Sequence, residues 1–125
     1  PNLVLSDPSE ARQVMRWIAI LYGRVDCSMA FTTGIHRAED VIKAVMVGAD
    51  VAMMASAVLR DGPGKIADIE SEMRTWLEEN EYSSVTQLRG SASQGSVEDP
   101  GTFERAQYIR TLHSWSAPPN LIPTA

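Results

Sequence analysis

The stretch of sequence that decides the fold runs from residue 27 to residue 59 and reads CSMAFTTGIHRAEDVIKAVMVGADVAMMASAVL. Two short apolar runs, at residues 27–31 and 51–55, flank a segment whose apolar residues recur at helical spacing. Apolar runs of this length without alternation are typical of parallel strands that are covered on both faces. Strand, helix and strand in this order predict a right-handed parallel crossover, and therefore an α/β fold.

Helices are predicted on both sides of this unit. Asp7, Pro8 and Glu10 form a capping box with proline at the first helical position, and the helix that they begin closes at Gly23. Either Gly34 or His36 could begin the central helix. Downstream, we expect a short turn over residues 56–59, a long helix with Ile66 and Ile69 facing inward, a brief helix from Ser84 to Gly90, and a last helix that starts at Asp99.

Length and composition exclude several classes of protein. The chain has 125 residues and a net charge of −5, so we expect no nucleic-acid partner held by basic charge. No apolar stretch approaches the roughly 18–20 residues of a membrane span, and we expect no membrane association. Cys27 is the single cysteine, which rules out an internal disulfide and favours a cytoplasmic setting. We expect Cys27 to be a small buried apolar residue without a catalytic role.

Two parallel strands alone would leave two open sheet edges, which complete domains normally cover or close. We therefore expect residues 1–115 to be a segment of a larger fold, completed by a missing N-terminal segment or by another chain. Residues 116–125 contain three prolines and few apolar residues, and we expect them to form a flexible tail.

Two loops carry the residues best suited to chemistry, and each follows a predicted strand. Because the carboxyl ends of adjacent parallel strands meet at one sheet edge, these loops should lie side by side. Backbone amides and hydroxyl groups there suit a phosphate, as they do after the seventh and eighth strands of TIM barrels. The expected ligand-binding residues are Thr33, Gly34, Ile35, Ala55, Ser56 and Ala57. Taken alone, either loop is also consistent with an ordinary connection between a strand and a helix.

Other polar residues point less clearly to a site. His36 has no second histidine nearby, so we expect it to cap a helix or lie on the surface rather than bind a metal. Arg60 is expected to be exposed, although it could reach a ligand charge. The glutamates of the long helix are expected to form a solvated face. We predict no metal site.

A series of segments in fixed order resembles one family. The segments are residues 31–35, 39–42, 48–51, 56–59, 61–63, 82–85 and 88–90. Together they are similar to the carboxyl-terminal part of the dihydroorotate dehydrogenase-like enzymes, which are FMN-dependent TIM barrels. The resemblance implies the C-terminal βα units of a TIM (β/α)8 barrel, about strands 7 and 8, followed by extra C-terminal helices.

The resemblance also implies a role for the two loops, which is to bind the phosphate of FMN. Gly34 matches the second of two family glycines, and Thr33 stands where the first would be. Ser56 matches a family hydroxyl residue, and Ala55 replaces the glycine before it. If the lost glycine had a positive φ, the β-branched Thr33 would be strained.

The implied function is that of the FMN-binding part of an oxidoreductase acting on CH–CH groups of a small-molecule substrate. No catalytic residue of the family falls within this chain, so enzymatic activity belongs to the intact protein. We expect that protein to be a homo-oligomer. Two alternatives remain at this point: a non-catalytic half-barrel module that assembles with another chain, and a sugar-phosphate-binding barrel.

Overall fold

The structure, a computed structural model, describes residues 2–98 as a helix-rich α/β domain with a two-stranded parallel sheet. The elements are α1 (Ala11–Leu21), β1 (Ala30–Phe31), α2 (Ala38–Met46), β2 (Val51–Ala52), α3 (Ala55–Asp61), α4 (Lys65–Glu79) and α5 (Val85–Leu88). Within that range, none of the helices has the length and apolar character that a membrane span requires. The helix predicted from Asp99 and the tail predicted at residues 116–125 lie outside the described residues.

The predicted parallel crossover is present. Ala30 pairs with Val51 and Phe31 with Ala52, and α2 forms the connection between the two strands. The ladder continues one step further, because the Met53 amide donates to the Phe31 carbonyl at 2.8 Å. Each strand has only two residues, fewer than the five predicted.

The first strand begins later than the apolar run at residues 27–31 predicts. Cys27 is exposed, so its predicted burial is wrong. The chain between Tyr22 and Ser28 follows turns and bends on the surface after α1, and it reaches the sheet only at Met29. There the Asp50 carboxylate accepts a hydrogen bond from the Met29 amide at 2.8 Å and pairs with Arg89.

The first predicted helix start is confirmed, and the second is corrected. Asp7 accepts from the Ser9 amide and Glu10 from the Asp7 amide, which completes the capping box before α1. At α2, neither Gly34 nor His36 is the cap. The Asp40 carboxylate instead accepts from the amides of His36 and Arg37 at 3.0 and 2.9 Å, so the helix is capped from its own first turn.

The core lies where α1, α2 and α4 pack around β1. Its buried residues are Ala11, Ile18, Ala19, Phe31, Ile35, Ala38, Val41, Ala44, Val47, Ala49 and Ile69. A second cluster joins α5 to α2 through Leu88, Ile42 and Val45. The first cluster includes Ile35 of the loop after β1 and Ala11 at the start of α1, so it packs this loop against that helix.

The second strand is not covered on both faces, contrary to the prediction from its apolar run. Val51 is 53% exposed and Met53 is 52% exposed. Ile66, predicted to face inward, is 52% exposed as well. The apolar run is present, but about half of each of these side chains is exposed to solvent within residues 2–98.

Tyr22 ends α1 by packing its ring against two glycines of distant segments. A Cβ atom built at Gly48 would lie 2.2 Å from Tyr22 Cδ2, and one built at Gly90 would lie 2.2 Å from Tyr22 Cε1. Both glycines have positive φ, 115° and 77°. A residue with a side chain would therefore be strained and would displace the ring.

We expect Gly48→Ala to lower the free energy of unfolding by about 3 kcal/mol, since backbone strain adds to the clash with Tyr22. Gly23→Ala is the matched control. Gly23 also has a positive φ, 76°, but a Cβ there meets nothing within 4 Å. It should cost only the backbone term of about 1 kcal/mol. Urea denaturation measures both, and equal losses for the two variants would exclude the packing role of Tyr22.

Candidate functional site

A cavity of about 320 Å³ opens at the carboxyl ends of the two strands, where the predicted loops meet. Its lining residues are Val4, Leu5, Ser6, Glu10, Thr32, Thr33, Gly34, Ile35, Met53, Met54, Ala55 and Ser56. Both predicted loops therefore contribute to one cavity. Of the expected ligand-binding residues, only Ala57 does not line it, because its side chain is fully buried in the domain.

The loop after β1 adopts an unusual backbone. Thr33 and Gly34 have φ of 71° and 70°, so two successive residues lie in the left-handed region. Gly34 requires glycine for a second reason, since a Cβ there would lie 2.6 Å from the Ala11 amide nitrogen. A larger residue at Gly34 would disrupt packing against α1 before it affected any ligand. The β-branched Thr33 is strained, as expected if it replaces a glycine of positive φ.

We expect Thr33→Gly to lower the free energy of unfolding less than Thr32→Gly does. At Thr33, relief of about 1–2 kcal/mol of left-handed strain offsets the extra chain entropy of glycine and the loss of the solvent-exposed hydrogen bond from Thr33 Oγ1 to Glu10. Thr32→Gly is the matched control, because Thr32 precedes it in the same loop without a positive φ. The control should lose about 0.5–1 kcal/mol. A loss for Thr33→Gly equal to or larger than that of the control in urea denaturation would contradict the strain at Thr33.

Ser6 links the two loops through hydrogen bonds. Its amide donates to Ser56 Oγ at 3.0 Å, and its hydroxyl donates to the same oxygen at 2.9 Å. The Gly34 amide in turn donates to Ser6 Oγ at 3.4 Å. The Gly34 amide and the Ser56 hydroxyl, both expected to bind phosphate, therefore converge on a single oxygen atom.

A buried histidine holds the Ser6 backbone. His36 is only 4% exposed, which contradicts its predicted capping or surface position. Arg60 Nη2 lies 2.7 Å from His36 Nδ1, and His36 Nε2 lies 2.9 Å from the Ser6 carbonyl oxygen. Since a guanidinium can only donate, Nδ1 must accept, and Nε2 must carry the proton donated to Ser6. Arg60, half-exposed, also pairs with Asp61 at 3.5 Å.

Glu10 is the one charged residue among those lining the cavity. Its carboxylate accepts from the Asp7 amide at 2.9 Å and from Thr33 Oγ1 at 2.7 Å. These bonds lower the pKa of Glu10 below its usual 4.5, the bond from the Asp7 amide most and that from Thr33 next. The pKa of Asp7 is lowered as well, chiefly by its bond from the Ser9 amide.

The lowered pKa of Glu10 predicts a pH dependence. A carboxyl group with a folded-state pKa below its unfolded value stabilises the fold above the unfolded value, and this contribution is lost as the pH falls through the folded value. Glu10→Gln keeps a residue that a capping box accepts but removes the titration. We expect wild type to melt above Glu10→Gln at pH 6 and the difference to shrink below pH 4.5. A constant difference in melting temperature would contradict the linkage.

Sequence reasoning missed Ser6, Glu10 and the buried pair of His36 with Arg60 as parts of the site. A signal was present for Ser6, because it ends the apolar run at residues 3–5 and precedes a helix cap. Ser6 therefore lies between an apolar run and a helix start, as the residues of the other two loops do. The His36–Arg60 contact joins residues 24 positions apart, and no periodicity of the sequence indicates it.

Comparison with known proteins adds no relative: no protein-family model matches the chain, and no curated protein matches it. Among residues 2–98, no group of three or more histidine, cysteine, aspartate or glutamate side chains is placed to hold a metal ion. The chemistry of the site therefore has to be argued from its own amides, hydroxyl groups and charges.

Proposed function

We propose that this chain is the FMN-binding part of a dihydroorotate dehydrogenase-like oxidoreductase that acts on CH–CH groups, and that it forms βα units 7 and 8 of a TIM barrel. The observation that carries the proposal is the convergence of the Gly34 amide and the Ser56 hydroxyl at one cavity, at the carboxyl ends of two parallel strands. This is the edge at which α/β barrels bind phosphate groups.

The polar groups of the cavity fit a phosphate. Ser56 Oγ accepts hydrogen bonds from the amide and the hydroxyl of Ser6, so its own proton is available to a phosphate oxygen. The Gly34 amide supplies a second donor. α3 has only seven residues, so the proposal depends on these two donors rather than on a helix dipole. The cavity is at the small end for ligand sites, which suits a phosphate and the adjoining chain.

Glu10 opposes an anion, but only weakly. Two unit charges about 4 Å apart interact by about 1 kcal/mol in water, and the Glu10 carboxylate is exposed to solvent. A hydrogen bond from a neutral donor to a charged acceptor contributes about 1.5–3 kcal/mol. Two such bonds, from Gly34 and Ser56, would outweigh the repulsion. Recognition would then be achieved by backbone and hydroxyl donors without a basic residue in the cavity.

When FMN is bound, the flavin supplies the redox chemistry. The residues of this chain orient the cofactor through its phosphate, and we assign no catalytic residue to them. The proton-transfer residue and the site of the small-molecule substrate are proposed to lie on the polypeptide that completes the barrel.

Exposed apolar side chains beside the cavity support this completion. Val51 and Met53 lie at β2, and Leu3 and Val4, near the cavity, are 80% and 87% exposed. Further strands of a barrel would bury such residues. We propose that the completing polypeptide is an N-terminal segment or another chain, and that the intact protein is a cytoplasmic homo-oligomer. Oxidoreductase turnover by the chain as a lone 13.7 kDa monomer would contradict the need for completion.

We expect Ser56→Ala to weaken FMN binding by the full chain on the order of tenfold, the value of one hydrogen bond to a charged group. Flavin fluorescence titration measures the affinity. Riboflavin, which lacks the phosphate, is the matched ligand and should bind both variants equally. Ser71→Ala, an exposed serine of α4, is the matched substitution and should change neither affinity.

Three results would decide between this proposal and its rivals. Equal FMN affinity for wild type and Ser56→Ala would place the phosphate elsewhere. Binding of inorganic phosphate and sugar phosphates at the same loops, without FMN binding, would favour the sugar-phosphate barrel. Assembly with a second chain in the absence of any phosphate ligand would favour the non-catalytic half-barrel module.

A further inference from the structure

Ser6 occupies a position that a ligand would need. The Gly34 N–H group points towards Ser6 Oγ, which accepts its hydrogen bond at 3.4 Å from the nitrogen. The same oxygen lies 2.9 Å from Ser56 Oγ. A phosphate oxygen that bound both the Gly34 amide and the Ser56 hydroxyl would have to sit within hydrogen-bond distance of both. Ser6 Oγ already holds that position.

We propose that Ser6 sets the affinity of this site for phosphate, because its hydroxyl is an internal ligand that a phosphate oxygen must replace. The proposal rests on the proposed phosphate site and names the residue that competes for it. The ligand class is a phosphate monoester or inorganic phosphate. The exchange is chemically matched, since one oxygen that accepts from an amide is replaced by another with a negative charge, which accepts more strongly.

Rotation of the Ser6 side chain about χ1 is enough to vacate the position. Such rotation between staggered rotamers requires no change of the backbone. The backbone has anchors of its own, because the Ser6 amide bonds Ser56 Oγ and the Ser6 carbonyl bonds His36 Nε2. His36 is held in turn by Arg60. His36 and Arg60 are therefore positioning residues, which keep the Ser6 backbone in place while the Ser6 side chain rotates.

The residues before Ser6 add little to hold it. Leu3 and Val4 are largely exposed, so few apolar contacts fix this segment against the cavity. The contact that competes with phosphate is consequently the pair of hydroxyl bonds alone. Their combined net contribution is small, since one bond is long, at 3.4 Å, and the other is only partly buried.

Two substitutions at Ser6 should change phosphate affinity in opposite directions. Ser6→Ala removes the competing oxygen and should tighten binding about fivefold. Ser6→Thr adds a methyl group on Cβ, so rotation of the hydroxyl out of the site brings a methyl group towards it, and binding should weaken. The measurement is an NMR titration of the full chain with inorganic phosphate that follows the Gly34 amide resonance, repeated with FMN. Ser71→Ala is the control and should match wild type.

The outcomes separate this inference from the proposed function. If phosphate shifts the Gly34 resonance in wild type but Ser6→Ala binds equally or more weakly, Ser6 is a supporting residue and the inference is wrong, while the phosphate site stands. If neither ligand shifts Gly34 in any variant at millimolar concentrations, the phosphate site is wrong and the inference fails with it. If circular dichroism shows Ser6→Ala to be unfolded, tighter binding by Ser6→Thr than by wild type would overturn the inference.

Discussion

The parallel pairing of Ala30 with Val51 and of Phe31 with Ala52 is the constraint on which the site depends. It brings the carboxyl ends of β1 and β2 to one edge, so loops that are about 20 residues apart in sequence face one cavity. The pairing is short, and it is supported from outside the ladder. Asp50 fixes the start of both strands, because its carboxylate accepts a hydrogen bond from the Met29 amide and pairs with Arg89. The connection between the strands, α2, packs against α4.

The backbone strain of this arrangement lies in the loop after β1. Thr33 and Gly34 both take the left-handed region, and Gly34 lies so close to Ala11 that no side chain fits. A strained residue persists only where its surroundings determine the backbone, and such residues cluster at functional sites. Here the determining contacts are the close approach of α1 at Gly34 and the Glu10 bond to Thr33 Oγ1. The observed strain is the feature of this loop that the proposed binding role would explain.

The elements that local chemistry determines could be predicted from the sequence. The capping box at Asp7 and Glu10, the central helix and the brief helix after Ser84 all depend on residues within one or two turns of each other, and all are present. The prediction that two loops share one edge also needed only the order of elements.

Predictions that depended on distant contacts were less successful. Cys27 and Val51 were expected to be buried because their runs are apolar, but burial depends on what packs against a run, and within residues 2–98 Cys27 is exposed and Val51 is only half covered. His36 was expected at a cap or on the surface, yet it is enclosed by Ser6 and Arg60, which are 30 and 24 residues away. Histidine is compatible with both environments, so residue type alone could not decide between them.

The proposed phosphate site has no cation in its lining, so it would need another source of selectivity. The chain carries a net charge of −5, and Glu10 is the charged residue at the cavity, so long-range attraction does not favour anions. Selectivity must then come from the direction of short-range donors. The Gly34 amide and the Ser56 hydroxyl lie on either side of one position, and a ligand oxygen placed there would be within reach of both donors. In the absence of a ligand, the Ser6 hydroxyl holds that position: it accepts from the Gly34 amide and donates to Ser56 Oγ, so it joins the two loops. Under the proposal, the contact that joins the two loops in the absence of a ligand also limits how tightly they can bind phosphate.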